Sequence, residues 1–305
     1  MEYGFLNLRF SKKRGTENQM SKVCKAIVRE CVRCAKWLKH IITVLLVYKK
    51  GERVAFSKEV VPEKVVIMGN APSLADIDIE AISSEGIDLV CVNWYPLKNS
   101  HFFELKPRYY CLIDPGFFVG SDEFTEMWEV LARVDWDMKI ICPQGKKLPV
   151  ENPHFEYVWI NSNVNRSPYK PYYWYEKNLS NPGLQNVVLG ALYYFVSIET
   201  PIIYLAGVEM SEFVHLFVDE ANDIYLRVIH DYGVEVEKMS VLTNTQRGDM
   251  YLVLQFYQRM FEQFKEMSDY AKSKKVTIYN LTPTSYIDVY EKKQDYRKGG
   301  RESIG

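Results

Sequence analysis

Five histidines, His40, His101, His154, His215 and His230, are the side chains best suited to proton transfer near neutral pH. His215 and His230 fall in a polar stretch, residues 210–247, where an imidazole would act as general base toward a hydroxyl nucleophile. A second set is less reactive: Gly69, Asn70, Ser73, Asn93, Asp114 and Glu209 each stand just beyond an apolar run. Amide, hydroxyl and backbone groups at such positions hold ribose and phosphate rather than attack them. Taken singly, each turn residue also suits local turn formation, and each histidine suits a surface or structural role.

Several chemistries are excluded. Ala71, Ser73 and Leu74 follow Gly69-Asn70, so no G-x-G-x-x-G is present, and there is no G-x-x-x-x-G-K-[ST]. No nucleophile elbow with a Ser/Asp/His order appears. Asp76-Ile77-Asp78 has the spacing of a metal-binding D-x-D but lies at the approach to a helix, where acids favour the helix start. No metal site is expected, and a phosphate leaving group would be neutralised by amides, hydroxyls or cationic side chains. Cys31 and Cys34 form a C-x-x-C in a basic helical stretch without a second ligand pair, which argues against zinc or redox use. Cys91, Cys111 and Cys142 lie in strand-like runs and read as small buried apolar residues, and no disulfide framework is suggested, which fits a reducing compartment.

The elements that must position these residues read as an α/β fold. Val65–Met68, Ile87–Val92, Arg108–Ile113, Lys139–Cys142, Phe155–Ile160, Ile202–Ala206 and Val276–Leu281 are mostly apolar runs that read as strands of a parallel sheet. Residues 73–83, 184–198 and 250–272 have helical spacing. Asn70, Asn93 and Asp114 end successive strands, so they would line one crevice at the carboxyl edge of the sheet. Residues 161–183, rich in Asn, Pro and aromatics, read as a long functional loop, and 210–247 as a lid. Beyond Glu291 the charged chain reads as a loose tail.

The N-terminal part has a different character. Lys22, Lys25, Arg29, Arg33, Lys36, Lys39 and His40 recur at helical spacing among Val23, Ile27, Val28, Val32, Trp37, Leu38, Ile41 and Ile42. Such a basic amphipathic helix over residues 20–50 suits an anionic membrane surface, a second subunit of a homo-oligomer, or the protein's own body. Its apolar run is too short to span a bilayer, and Gly51 suits a helix C-cap. With 305 residues, 47% hydrophobic and 25% charged, the chain has enough apolar content for one large domain with appendages. The net charge of -1 argues against nucleic acid as a partner.

The ordered set VVIMGNAPSL, CVNWY, LIDPGFF, IIYLAGVE and VTIYNLTPTSYID, spread over residues 64–290, resembles the bacterial sialyltransferases of glycosyltransferase family 42 and related sialyltransferase-like proteins of surface-polysaccharide clusters. The resemblance implies a Rossmann-like GT-A variant and inverting transfer from a CMP-sugar, without metal or cofactor, with a lid histidine as base. Carried over by motif, Gly69, Asn70 and Ser73 would hold the donor's phosphate and ribose, and Asn93 would contact nucleotide or sugar. Asp114 takes the place of an asparagine, and Glu209 that of an aspartate. Gly183 matches a family glycine, with Gln185 and Asn186 after it. His230 best matches the catalytic histidine, and His215 is the alternative; Tyr225 and Tyr232 stand near the family's lid tyrosines.

The resulting expectation is an extension (residues 1–60), a nucleotide-sugar domain (61–290) and a polar tail (291–305). It is a glycosyltransferase acting on an oligosaccharide or lipid-linked acceptor, cytoplasmic and peripheral at the inner face of a bacterial membrane. The alternatives are a metal- and ATP-dependent pyrophosphokinase-like enzyme, since GNAPSL also resembles a turn of pterin-phosphorylating proteins, and a non-catalytic membrane-associated scaffold.

Overall fold

The computed structural model describes residues 7–49, 55–58, 60–118, 122–164, 169–230, 233–240 and 248–298. The strands are β1 (Lys64–Met68), β2 (Asp88–Val92), β3 (Tyr109–Cys111), β4 (Met138–Pro143), β5 (Phe155–Ile160), β6 (Ile202–Ala206), β7 (Leu216–Val218), β8 (Ile224–His230), β9 (Gly233–Lys238), β10 (Thr277–Asn280) and β11 (Glu291–Lys292). Eight of them form one parallel sheet in the order β11-β10-β6-β1-β2-β3-β4-β5, while β7-β8-β9 form a separate antiparallel sheet. The helices are α1 (Asn7–Lys49), α2 (Ile79–Ser84), α3 (Tyr95–Lys98), α4 (Phe102–Leu105), α5 (Thr125–Ala132), α6 (Pro171–Glu176), α7 (Val187–Ser197) and α8 (Met250–Ser273). The fold is α/β with a mostly parallel sheet flanked by helices, as the apolar runs imply.

Alternation along each strand divides the core in two. Val65 and Ile67 of β1 pack with α7 and α8, while Val66 and Met68 pack with α2, α3, α4 and α5. Helix α7 is apolar on every side and buried from Val188 to Ser197. A buried leucine such as Leu192 stabilises by roughly 1.5–3 kcal/mol relative to exposure. Helix α8 is amphipathic instead: Val253, Tyr257, Met260, Phe264 and Met267 form its buried stripe, and Asp249 caps it by accepting from the Leu252 amide at 3.2 Å.

Two regions depart from the sequence reading. The helix expected over 73–83 is a 3-10 turn (Pro72–Asp76), an extended Ile77, and then α2, capped by Asp78. The break arises because Ile77 bridges to Arg297, and the Asp78 amide donates to the Tyr296 carbonyl at 2.8 Å. The same contacts correct the loose tail: through residue 298 the chain is docked, with β11 on β10, and Tyr296 stands edge-on to Tyr204 while donating to Glu85. Gly51 and Tyr232 lie outside the described residues.

Helix α1 starts well before the expected boundary and, at 43 residues, is about 65 Å long. No described helix is long and apolar enough to cross a membrane. Its contact with the body is narrow. His40 (3% exposed) stands edge-on to Trp174 with centroids 5.1 Å apart, and Val44 is buried near it in sequence. Tyr169 donates to Glu30, and Arg33 lies over the Tyr169 ring.

Burial holds the His40 pKa below its ordinary value, because the charged ring would lose its hydration. The released helix therefore binds more protons than the docked one. Docking is at full strength above the ordinary histidine pKa and weakens as pH falls toward the lowered value. Limited proteolysis of α1 should accelerate between about pH 7 and pH 5, and His40→Leu should flatten that dependence. Equal cleavage at both pH values would contradict it.

Candidate active site

At the carboxyl edge of the sheet, β1 and β6 are neighbours whose onward connections run in opposite directions: β1 leads toward β2, and β6 toward β10. In open α/β sheets such a switch point opens a crevice for ligands. Gly69 and Gly207 make the closing contact. A Cβ on Gly69 would lie 2.2 Å from the Gly207 carbonyl oxygen, and one on Gly207, at φ +64°, would lie 2.7 Å from Leu74 Cβ. Gly69 N donates to the Ala206 carbonyl at 2.8 Å, and Ala71 N to the Gly207 carbonyl at 3.2 Å.

Five of the expected residues sit on this edge. Glu209, beyond β6, accepts from the Ser73 amide at 2.9 Å and from Ser211 Oγ at 3.3 Å. The Asn70 side-chain amide reaches the Val92 carbonyl at 3.4 Å. Asn93 takes a left-handed conformation, φ 46°, as asparagine tolerates. Its backbone is clamped by β3: its amide donates to Cys111, and the Tyr110 hydroxyl donates to its carbonyl at 2.6 Å. Ser73 Oγ and Asn93 Oδ1 are buried with no hydrogen-bond partner among the described residues. Such groups cost stability unless a ligand or water completes them.

The turn after β1 uses its amides within the protein, at Gly69, Ala71 and Ser73, and a carboxylate stands beside it. The hydroxyl and carboxamide side chains on this wall can each bond a ligand hydroxyl. Asp114 is exposed and forms a local turn, accepting from the Gly116 amide at 2.8 Å.

Across the crevice, beyond β3, β4 and β5, lies a cavity of about 1120 Å³. Gly183 and Gln185 line it, whereas Gly69, Asn70, Ser73, Asn93 and Glu209 do not. The asparagine-rich loop carries α6 and is closed on either side of it by asparagine side chains. Asn178 Oδ1 accepts from the Asn161 amide, Asn181 Nδ2 donates to the Asn161 carbonyl, and Asn181 Oδ1 accepts from Gly183 N. Gln263 of α8 then pins the loop's end, donating to Gln185 Oε1 at 2.9 Å and accepting from Gln185 N at 3.2 Å. Gly183, at φ +107°, leaves room for it, since a Cβ there would lie 2.4 Å from Gln263 Nε2. Asn186 caps α7, accepting from the Val188 amide at 2.8 Å. Gln185 and Asn186 thus hold the loop and helix in place.

The cavity also holds residues that the sequence reading did not assign to the site. Lys146 from the turn after β4, Arg259 from α8, and Lys36 and Lys39 from α1 all line it, with Glu262 as the one carboxylate among the described lining residues. The spacing of Lys36 and Lys39 is visible in the sequence, but nothing local to Lys146 or Arg259 signals a site.

The segment expected to be a lid forms the β7-β8-β9 sheet, rooted by Ile224, Leu226 and Met239 in the core beside α7 and α8. His215 ends the 3-10 turn Glu212–His215, six residues beyond Glu209 on the segment leaving the β6 edge. His230 ends β8 opposite Gly233, six residues from buried Ile224, so its backbone stands about 20 Å out along the hairpin. Its side chain lies outside the described residues. The buried thiols are unsuited to attack: burial pushes Cys142 up to about 12, and raises Cys91 and Cys111 as well.

No protein-family model and no curated protein matches the sequence. Among solved structures, the chain is similar to the Maf glycosyltransferase of Magnetospirillum magneticum AMB-1, with TM-score 0.44 and 13% identity over 80% of this chain and 36% of that one. The chain thus spans little more than a third of that protein's length. It is also similar to the sialyltransferase CstII of Campylobacter jejuni, solved with a substrate analogue, cytidine-5'-monophosphate, with TM-score 0.42 and 14% identity over 76% of this chain and 85% of that one.

The Gly69–Gly207 contact makes a direct prediction. Gly69→Ala must push β1 from β6 and should cost about 1–3 kcal/mol or more, read as a lower urea midpoint. An unchanged midpoint would show that the contact yields.

Proposed function

We propose that this chain is a glycosyltransferase that moves a sugar from a CMP-linked donor to a hydroxyl of a glycan or lipid-linked acceptor, with inversion. The observation that carries this reading is the strand-end wall, where Ser73 Oγ and Asn93 Oδ1 are buried without partners beside Asn70 and Glu209. These are groups for sugar and ribose hydroxyls, set at the switch point of a parallel sheet. The choice of CMP rests on the five-motif resemblance.

In this reading the acceptor hydroxyl attacks the anomeric carbon while His215 takes its proton. The bond from that carbon to the phosphate oxygen breaks, and CMP departs. One displacement inverts the configuration. His215 is preferred to His230 because it lies on the segment leaving the crevice edge, whereas His230 stands at the far end of β8. Lys146 and Arg259 are cations placed to neutralise the departing phosphate.

CMP should raise the melting temperature of the purified chain, and Asn93→Ala should abolish the shift. His215→Ala should leave the shift intact but lower turnover about 10²–10⁴-fold. Turnover that needs a divalent metal and ATP would favour pyrophosphoryl transfer instead. No response to any nucleotide or nucleotide sugar would favour a scaffold.

Helix α1 supports a peripheral membrane location. Val23, Ile27, Trp37, Leu38, Ile42 and Leu45 are exposed along one side, and Lys22, Lys25, Arg29, Arg33 and Lys36 run at three- and four-residue spacing along another. The chain should sediment with phosphatidylglycerol-containing vesicles, and Ile27→Glu with Leu38→Glu should leave it in the supernatant. Failure of the wild type to sediment would remove the membrane assignment.

A further inference from the structure

We propose that α1 is part of the active site as well as an anchor. In this proposal Lys36 and Lys39 bind the phosphate-bearing end of an amphiphilic acceptor, of the class of a polyprenyl diphosphate. The inference deepens the transferase reading and rests on it for calling the ligand an acceptor.

The cavity beyond β3–β5 is walled on one side by the sheet and on another by α1. Among the described lining residues, four cations accompany one carboxylate, that of Glu262, which already accepts from Gln258 Nε2 at 2.9 Å. The charged ends of Lys36, Lys39, Lys146 and Arg259 form no ion pair or hydrogen bond with any described residue. Unpaired like charges converging on one concave surface repel each other and raise the local affinity for an anion.

The charge count separates two phosphate sites. A CMP-linked sugar carries a single phosphodiester, a charge that Lys146 after β4 and Arg259 of α8 can match. Lys36 and Lys39 are then in surplus, and a second anionic group of two or more charges matches them. They are also the end of a row, Lys22, Lys25, Arg29, Arg33, Lys36 and Lys39, that runs along the helix to the cavity. Arg33 in that row is paired with Glu30 at 3.2 Å.

The apolar part of the ligand has a place beside them. Trp37, next in the chain to Lys36, lines a second cavity of about 570 Å³ with Cys34, Tyr169, Tyr173 and Trp174. An acceptor with a diphosphate on the lysines and an isoprenoid chain over these rings satisfies both surfaces. It would also reach the site from the membrane that the exposed face of α1 is proposed to touch.

Isothermal titration of the full-length chain with inorganic pyrophosphate and with farnesyl diphosphate tests this. Both should bind, more weakly as salt rises. Lys36→Glu with Lys39→Glu should weaken both by at least about tenfold, while Lys22→Glu with Lys25→Glu, farther along the row, should change them less than about threefold. Trp37→Ala should weaken farnesyl diphosphate and spare pyrophosphate. Absence of pyrophosphate binding, or equal losses in the two double variants, overturns the site. CMP titrated in parallel separates the two readings. If Lys36→Glu with Lys39→Glu loses CMP together with pyrophosphate, the lysines serve the donor and the acceptor assignment is overturned. If the wild type ignores CMP but treats the diphosphates as expected, the phosphate site stands and the transferase reading falls.

Discussion

The contact between Gly69 and Gly207 is the constraint on which the crevice depends. The turns after β1 and β6 pass so closely that a single methyl group has no room between them. That approach lets Ala71 bond across to Gly207 and brings Glu209 onto the amide of Ser73. The result is a floor on which the Gly69, Ala71 and Ser73 amides are already used. What remains for a ligand is side-chain chemistry, namely the Ser73 hydroxyl and the amides of Asn70 and Asn93. A phosphate gains little beside the Glu209 carboxylate, whereas a sugar hydroxyl can both donate and accept there.

Division of labour across the crevice follows from this. The β1–β2–β6 edge is neutral to acidic and densely hydrogen-bonded. The cavity beyond β3–β5 is cationic, and its walls come from distant parts of the chain: α1, the turn after β4, the asparagine-rich loop and α8. The loop carries α6, and its asparagine side chains add bonds to the backbone on either side of that helix. Gln263 then ties it to α8. A helix that looks in the sequence like a detachable membrane anchor thus forms one wall of the proposed site.

Much of the sheet was legible in the sequence because a strand lying between layers of helices is mostly apolar. Phe155–Ile160 and Ile202–Ala206 are found with the expected limits, and β1, β2 and β4 within one residue. Strand-end residues such as Asn93 were legible for the same reason, since an apolar run that stops marks an edge. Elements held by backbone pairing were not. Residues 291–298 are charged and read as loose, yet their main chain pairs with β10 and bridges Ile77. Arg259 and Gln263 were equally silent: they sit on the polar side of an amphipathic helix, and Gln185, which Gln263 meets, is 78 positions away. Only the folded chain shows that this side of α8 faces a cavity.

The central claim is that nucleotide binds at the switch-point wall. Hydrogen–deuterium exchange of the full-length chain with and without CMP tests it most directly. The account predicts slowed exchange in peptides covering residues 69–74, 93–95 and 183–187, with β9 unchanged. Protection confined to the β8–β9 hairpin, or none at saturating CMP, would contradict it.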